Sequence, residues 1–209
     1  LSLTIDAEYS PQATDSNNTD GGMATYSETF RQGYGLGATA SYEGLTVGAY
    51  GTERENITPN HASVDAQSDG FEGAWYAKYS FGPISIGYSE TYLDNGTDAA
   101  AGNAELATVA KVVRTADGIF SSESMSIAYN VNENLSVSFT TTDDTYDAQA
   151  NVAGADGIAD VTQATDAIQI AYSMGAMSVK AYQMETKNPG YDSDAAKLSV
   201  TEIALGLAF

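Results

Sequence analysis

Cysteine is absent from this chain of 209 residues, and histidine occurs only once, as His61. Without cysteine, the chain can form neither disulfide bonds nor thiolate metal sites. His61 has no partner near it in the sequence with which it would form a zinc site or a catalytic pair. We therefore expect His61 to be a solvated loop residue, and we interpret the chain as a protein without enzyme activity.

Basic residues and long hydrophobic runs are also scarce. Eight Lys and Arg stand against 28 Asp and Glu, and the net charge of −20 would repel the phosphates of a nucleic acid. No run of eighteen apolar residues occurs, which excludes a transmembrane helix. Hydrophobic residues still make up 43%, too many for a disordered acidic tail. We expect one domain over residues 1–209, because nothing resembles an interdomain linker.

The residues that are abundant favour β-structure. The chain has 14 Tyr, 6 Phe and 20 Gly but only 4 Pro. Its first nine residues, LSLTIDAEY, alternate between apolar and polar positions, and so do its last nine, TEIALGLAF. A period of two residues predicts strands that each have one apolar and one polar face.

Four pairs of similar alternating segments lie between the two ends and are joined by very short connections. The predicted turns are 43–44, 82–83, 132–134 and 175–176, of the short length that tight antiparallel hairpins require. The other connections are long and polar, and they span 10–25, 54–68, 93–118, 141–164 and 185–195. The sequence therefore predicts an all-β fold of ten antiparallel strands in meander order. Short turns at one end and long loops at the other are typical of transmembrane β-barrels.

The aromatic residues of the apolar faces gather near the short turns. This set comprises Tyr42, Tyr79, Phe81, Tyr129, Tyr172 and Phe209. Tyr and Phe rings suit a membrane–water interface, so the apolar faces are predicted to meet lipid. Glu90, Glu123 and Lys197 break the apolar pattern only toward the long loops, where the lipid headgroups would begin.

The polar faces would then line a water-filled lumen. The candidate pore-lining residues are Asp6, Glu8, Arg31, Glu72, Lys78, Gln169, Lys180 and Glu202. Two interpretations of these charges remain open: they create a transverse electric field across the pore, or they merely solvate its wall.

Other segments carry weaker signals. GYGLGATAS, at 33–41, has closely spaced glycines but no following helix, so we interpret the glycines as keeping one face of a strand slim rather than as a phosphate-binding loop. A short helix is expected at 103–114, within the longest loop. Two acidic groups either bind Ca²⁺ or form solvated loop surfaces. They are Asp143, Asp144 and Asp147 in one group, and Asp94 and Asp98 in the other. No other cofactor is expected.

Repeated phrases link the hairpins to a known family. The up-strands read GLTVGAY (44–50), GPISIGY (82–88), NLSVSF (134–139) and AMSVKAY (176–182), and they follow down-strands such as WYAKYSF (75–81) and IQIAYSM (168–174). In their ordered recurrence over the whole chain, these phrases resemble the general diffusion porins of Gram-negative bacteria, particularly the alphaproteobacterial type.

The resemblance implies an outer-membrane channel through which ions and small hydrophilic solutes diffuse passively. It also implies contact with outer-membrane lipid and lipopolysaccharide, assembly as a homotrimer, and recognition of the terminal Phe209 by the assembly machinery. Members of the family have sixteen strands and a constricting third loop. On this basis, residues 1–209 would be the C-terminal ten-stranded portion of one barrel domain, and the constricting loop would not be in this sequence. An intact ten-stranded barrel is the alternative architecture.

A different class of protein also fits the composition. A soluble or surface β-sandwich, such as an adhesin or an acidic carbohydrate-binding protein, would share the negative charge and the alternating strands. The sorted loop lengths, the one-sided aromatic residues and the terminal Phe209 favour the pore. We expect the pore, unlike the sandwich, to require detergent for extraction.

Overall fold

The chain folds as one antiparallel β-sheet. A computed structural model describes residues 1–10, 30–56, 69–94, 119–147 and 160–207. Within these residues, ten strands pair with their neighbours in chain order, from the first strand to the tenth. The predicted all-β, antiparallel meander of ten strands is therefore confirmed.

The strands are of similar length and alternate in direction. They are β1 (Ser2–Ser10), β2 (Phe30–Tyr42), β3 (Leu45–Asn56), β4 (Gly70–Phe81), β5 (Ile84–Asp94), β6 (Ile119–Asn130), β7 (Leu135–Asp147), β8 (Val161–Met174), β9 (Met177–Lys187) and β10 (Leu198–Leu207). A short 3-10 turn, Pro189–Tyr191, lies between β9 and β10. In the part of the chain that the structure describes, no helix is long and apolar enough to cross a membrane.

Tight turns join the hairpins where the sequence predicts them. In the β2–β3 turn, Glu43 and Gly44 both have positive φ, at 43° and 87°. Such a pair of left-handed residues matches the twist of two antiparallel strands. In the β6–β7 turn, Oδ1 of Asn132 accepts hydrogen bonds from the backbone N–H groups of Asn134 and Leu135, at 2.9 and 3.0 Å. Asn side chains commonly stabilise turns in this way.

The β2–β3 turn gives a stability prediction that separates two effects. Gly44 and Gly175 both have positive φ, but a Cβ on Gly44 would lie 2.3 Å from the carbonyl oxygen of Ser80, whereas a Cβ on Gly175 would meet nothing within 4 Å. We expect Gly175→Ala to lower the free energy of unfolding by about 1 kcal/mol through backbone strain alone. Gly44→Ala should cost about 1 kcal/mol more, because the backbone of β4 must also move. Urea unfolding of the two variants measures the difference, and equal losses would contradict the predicted clash.

The two faces of the sheet differ in composition. Residues that pair in register lie on the same face. We call the first face the apolar face; it carries Ile5, Leu36, Val47, Trp75, Ile86, Ile127, Phe139, Ile170, Val179 and Ile203. The other is the polar face; it carries Thr4, Thr39, Gly48, Tyr76, Ser89, Ser124, Thr142, Thr165 and Thr186. The predicted alternation therefore gives one apolar and one polar surface across the whole sheet.

The polar face is the more enclosed of the two. Every described residue that is classed as buried lies on it: Gly33, Gly35, Gly37, Gly48, Thr52, Arg54, Gly70, Tyr146 and Thr186. On the apolar face, large side chains such as Ile127, at 46% exposed, and Trp75, at 39%, stay accessible. The large hydrophobic side chains thus lie on the more exposed face of the sheet, the reverse of a water-soluble domain with an apolar core.

Six strands, β1, β3, β5, β7, β8 and β9, extend into segments that were predicted to be loops, namely 10–25, 54–68, 93–118, 141–164 and 185–195, and β7 extends furthest. The segment 141–164 was predicted to be a loop, but β7 continues to Asp147 and β8 begins at Val161. Most side chains here are polar on both faces, which removes the alternation signal, while the backbone hydrogen bonds of the ladder continue. Asp143 and Asp144 are therefore successive strand residues on opposite faces. His61, Asp98 and the predicted helix at 103–114 lie outside the described residues.

Both edges of the sheet are open among the described residues. There, β1 pairs only with β2, and β10 pairs only with β9. Ile5 on β1 is 66% exposed and Ile203 on β10 is 73% exposed, because each lacks a neighbour on one side. The predicted barrel requires further pairing at these two edges.

Candidate functional site

A row of hydroxyl groups crosses the polar face. Eight of the nine strands from β1 to β9 contribute Thr, Ser or Tyr to this row, and β3 contributes Gly48. The hydroxyl oxygens of Ser124 and Thr142 are 2.9 Å apart, and those of Thr165 and Thr186 are 3.1 Å apart. Hydroxyls both donate and accept hydrogen bonds. The row therefore offers water and polar solutes an uncharged, hydrogen-bonding surface.

Glycines make room for two tyrosines that lie along this surface. A Cβ on Gly48 would be only 2.5 Å from the ring of Tyr76, whose hydroxyl lies 3.5 Å from that of Thr39. Similarly, the ring of Tyr50 lies over Gly37, at 3.0 Å from a Cβ there. The interpretation that glycine keeps this face of β2 slim is confirmed. The slim positions let aromatic rings span from one strand to another.

The register places most of the predicted site residues on the polar face. These are Asp6, Glu8, Glu72, Lys78, Gln169, Lys180 and Glu202. Arg31 belongs to β2, but its side chain lies outside the described residues, as does all of Phe209. Lys78 lies on the polar face, and Trp75 and Tyr79 lie on the apolar face, because successive side chains of β4 alternate between the two faces.

Three of the predicted acids have specific partners. Glu8 accepts a hydrogen bond from the hydroxyl of Tyr50, at 2.5 Å. Glu202 accepts one from Tyr182, at 3.1 Å. Glu72 forms an ion pair with Arg54 at 2.7 Å. By contrast, neither Lys78 nor Lys180 forms an ion pair with another described residue.

Sequence reasoning missed Arg54, Tyr50 and Asp144 as polar-face residues. The side chain of Arg54 is only 7% exposed, so it is the most enclosed charge of the face among the described residues. The signal was present for Tyr50, because alternation from Leu45 and Val47 places position 50 on the polar side. Arg54 and Asp144 were missed because a loop was predicted where each strand continues.

The charges of the polar face are nearly balanced. Its described strand residues include three cations and five anions, so its net charge is 3 − 5 = −2, against −20 for the whole chain. The cations are Arg54, Lys78 and Lys180, and the anions are Asp6, Glu8, Glu72, Asp144 and Glu202. Along the strand order the two signs are interspersed rather than separated. This arrangement favours a solvated wall over a transverse field.

A segment between β9 and β10 folds back over the polar face. We call residues 188–197 the inward segment. The ring of Tyr191 packs against Phe120 and Tyr146, with centroids 5.7 and 5.8 Å apart. The side chain of Asn188 donates to the carbonyl of Thr162, and the backbone N–H of Gly190 donates to Oε1 of Gln163, both at 2.8 Å. The inward segment thereby narrows the space over β6 to β8.

The apolar face carries acids only toward the ends of the strands that lead to the long connections. Glu90 accepts hydrogen bonds from the indole N–H of Trp75, at 3.0 Å, and from the hydroxyl of Tyr88. Glu185 pairs with Lys197 at 2.6 Å. No group of three or more acidic or histidine side chains in the described ranges is placed to hold a metal ion. These acids thus lie at the margin of the apolar face.

Comparison with known proteins adds no identification. No family model matches this chain, and no curated protein matches it. A functional assignment therefore depends on the sequence pattern and on the geometry of the two faces.

Proposed function

We propose that this chain forms the wall of a water-filled β-barrel channel in the outer membrane of a Gram-negative bacterium. Ions and small hydrophilic solutes would cross it by passive diffusion. The observation that carries this proposal is the reversed sheet: its exposed face is apolar, and its enclosed face is lined with hydroxyls. Lipid is the environment that accepts such an apolar surface, and water is the environment that the hydroxyl row requires.

The same proposal requires the two open edges to be paired. Unpaired backbone N–H and C=O groups are too costly in hydrocarbon, so only a closed barrel is stable there. The resemblance to sixteen-stranded porins favours further strands between β1 and β10, and a homotrimer in contact with lipopolysaccharide. Direct pairing of β1 with β10 in a ten-stranded barrel is the alternative architecture.

An adhesin or carbohydrate-binding sandwich is less well supported. A sandwich buries the apolar face of one sheet against a second sheet. All ten described strands belong to a single sheet, and their large apolar side chains remain exposed. No specific observation favours the sandwich over the channel.

Recordings across a planar lipid bilayer test the channel and its selectivity together. We expect stepwise conductance from the folded protein and, in a salt gradient at low ionic strength, a reversal potential that indicates weak cation preference. The acidic surplus of the chain attracts cations, whereas the polar face itself is nearly neutral. Because exposed charge is screened beyond about 8 Å at physiological ionic strength, the preference should fade as salt rises.

The control is an equal amount of heat-denatured protein added to the same bilayer. Folded protein that gives no conductance steps would refute the channel. Anion preference at low salt, or a preference that does not change with salt, would instead show that the acidic surplus of the chain does not set the selectivity.

A further inference from the structure

The polar face contains a cavity of about 500 Å³ at the inward segment. Its lining includes Tyr50, Glu72, Thr91, Phe120, Asp144 and Tyr191. A volume in this range accommodates small ligands, and cavities that bind them combine apolar walls with a few placed polar groups.

Small side chains form the floor of the cavity. Tyr50, Ala74, Thr91, Ser122 and Asp144 are successive partners in one row that crosses β3 to β7. The three small residues leave a shallow space between the ring of Tyr50 and the carboxylate of Asp144. Since neighbouring strands are about 4.8 Å apart, this space is wide enough for a single sugar-sized ring.

Two aromatic rings form one wall of this space. Phe120 lies beside Ser122 on β6, and the Tyr191 ring packs against it from the inward segment. Tyr191 is held in place because the backbone of Gly190 donates to Gln163, which belongs to β8. Aromatic rings of this kind pack well against the C–H surface of a ring-shaped solute and attract a nearby cation.

The two carboxylates of the cavity differ in their partners. Glu72 is paired with Arg54 at 2.7 Å, so its charge is largely balanced. Asp144 accepts only a long contact, 3.5 Å, from the amide of Gln163 among the described residues. An ammonium group would make a much stronger, charge-assisted hydrogen bond to Asp144.

We propose that this cavity binds a hexose-sized sugar that carries a protonated amine. The ammonium donates to Asp144, the sugar hydroxyls bond to Thr91 and Ser122, and the ring packs against Tyr191 and Phe120. This inference deepens the proposed function and rests on it, because a solute reaches the polar face through the water-filled channel.

Calorimetric titration of the purified full chain, folded in detergent at slightly acid pH, tests the site with glucosamine and glucose as probes. Glucosamine should bind with a millimolar dissociation constant, and glucose should bind about tenfold more weakly because it lacks the charge. Asp144→Asn should weaken glucosamine binding by about the same factor. Asp143→Asn is the matched control, since it removes the same charge one residue away on the opposite face. This variant should bind glucosamine with the same affinity as the unaltered chain.

Tyr191→Ala is a second variant, and it alters no residue of a strand. It should weaken the binding of both glucosamine and glucose. Equal affinity for the two probes, no binding of either, or equal effects of the two Asp variants would overturn the site. Conductance in the bilayer without glucosamine binding would refute the site alone. Binding without conductance would refute the channel, and the cavity would then be a surface site.

Discussion

Replacing Ile127 by lysine is expected to destabilise the membrane-inserted protein by about 2–4 kcal/mol, the cost of a cation on the lipid face near the bilayer midplane. Ile127 pairs with Ile86 on β5 and with Phe139 on β7, so apolar residues of the same face flank it on both sides. Its side chain is 46% exposed, and a lysine ammonium there would lie among lipid chains instead of water. The effect depends on the apolar face meeting lipid, and it therefore tests that assignment directly.

The matched control is Ser126→Lys, one residue earlier on β6. Ser126 lies on the polar face between Gly87 and Thr140, where the new ammonium would remain hydrated. Urea titration of protein folded into lipid vesicles, monitored by the fluorescence of Trp75, compares the two variants. We expect Ser126→Lys to lower the free energy of unfolding by well under half as much as Ile127→Lys does. Equal losses, or a larger loss for Ser126→Lys, would show that the faces have been assigned the wrong way round.

The strands and their turns were predictable because their signals are local. Alternation with a period of two residues places each side chain on a face without knowledge of its neighbours. The β2–β3 turn at Glu43 and Gly44 was predictable because it needs residues that adopt positive φ. The short connections fix four of the nine strand pairings, since so few residues can join only adjacent antiparallel strands, whereas the five pairings across the long connections do not follow from local signals.

The inward segment was not predictable, because it depends on contacts between residues far apart in the sequence. Tyr191 packs against Phe120 and Tyr146, which belong to strands much earlier in the chain. Nothing in the local sequence around Pro189 indicates that it turns back over the sheet. The cavity beside Asp144 was missed for the same reason, because the inward segment supplies one of its walls.

The ends of the strands were also beyond local reasoning. Glu53 and Arg54 are both charged, so alternation of polarity stops there, although pairing with β4 continues. Backbone hydrogen bonds extend a ladder regardless of side-chain polarity. Closure of the sheet is harder still, because it depends on which strands meet β1 and β10, and alternation within a strand carries no information about its partners.

Replacing Phe209 by aspartate is expected to lower the amount of protein in the outer membrane severalfold. By alternation, Phe209 continues the apolar positions of Ile203, Leu205 and Leu207, although it lies outside the described residues. In the porin function proposed above, the assembly machinery recognises the aromatic side chain of Phe209. A charge at this position would remove that recognition, while the ten described strands keep all their own pairing partners. The loss should therefore be a defect of assembly rather than of stability.

Two measurements separate these causes. Gel analysis of outer-membrane fractions from expressing cells, with and without heating, gives the amount of folded protein. Urea titration of the same variant refolded in vesicles gives its stability. Phe209→Tyr, which keeps an aromatic ring, should reach normal levels, and Phe209→Asp should refold in vitro nearly as well as the unaltered chain. Normal outer-membrane levels of Phe209→Asp would contradict the assembly role, and a matching loss of stability in vitro would show that Phe209 acts through the sheet itself.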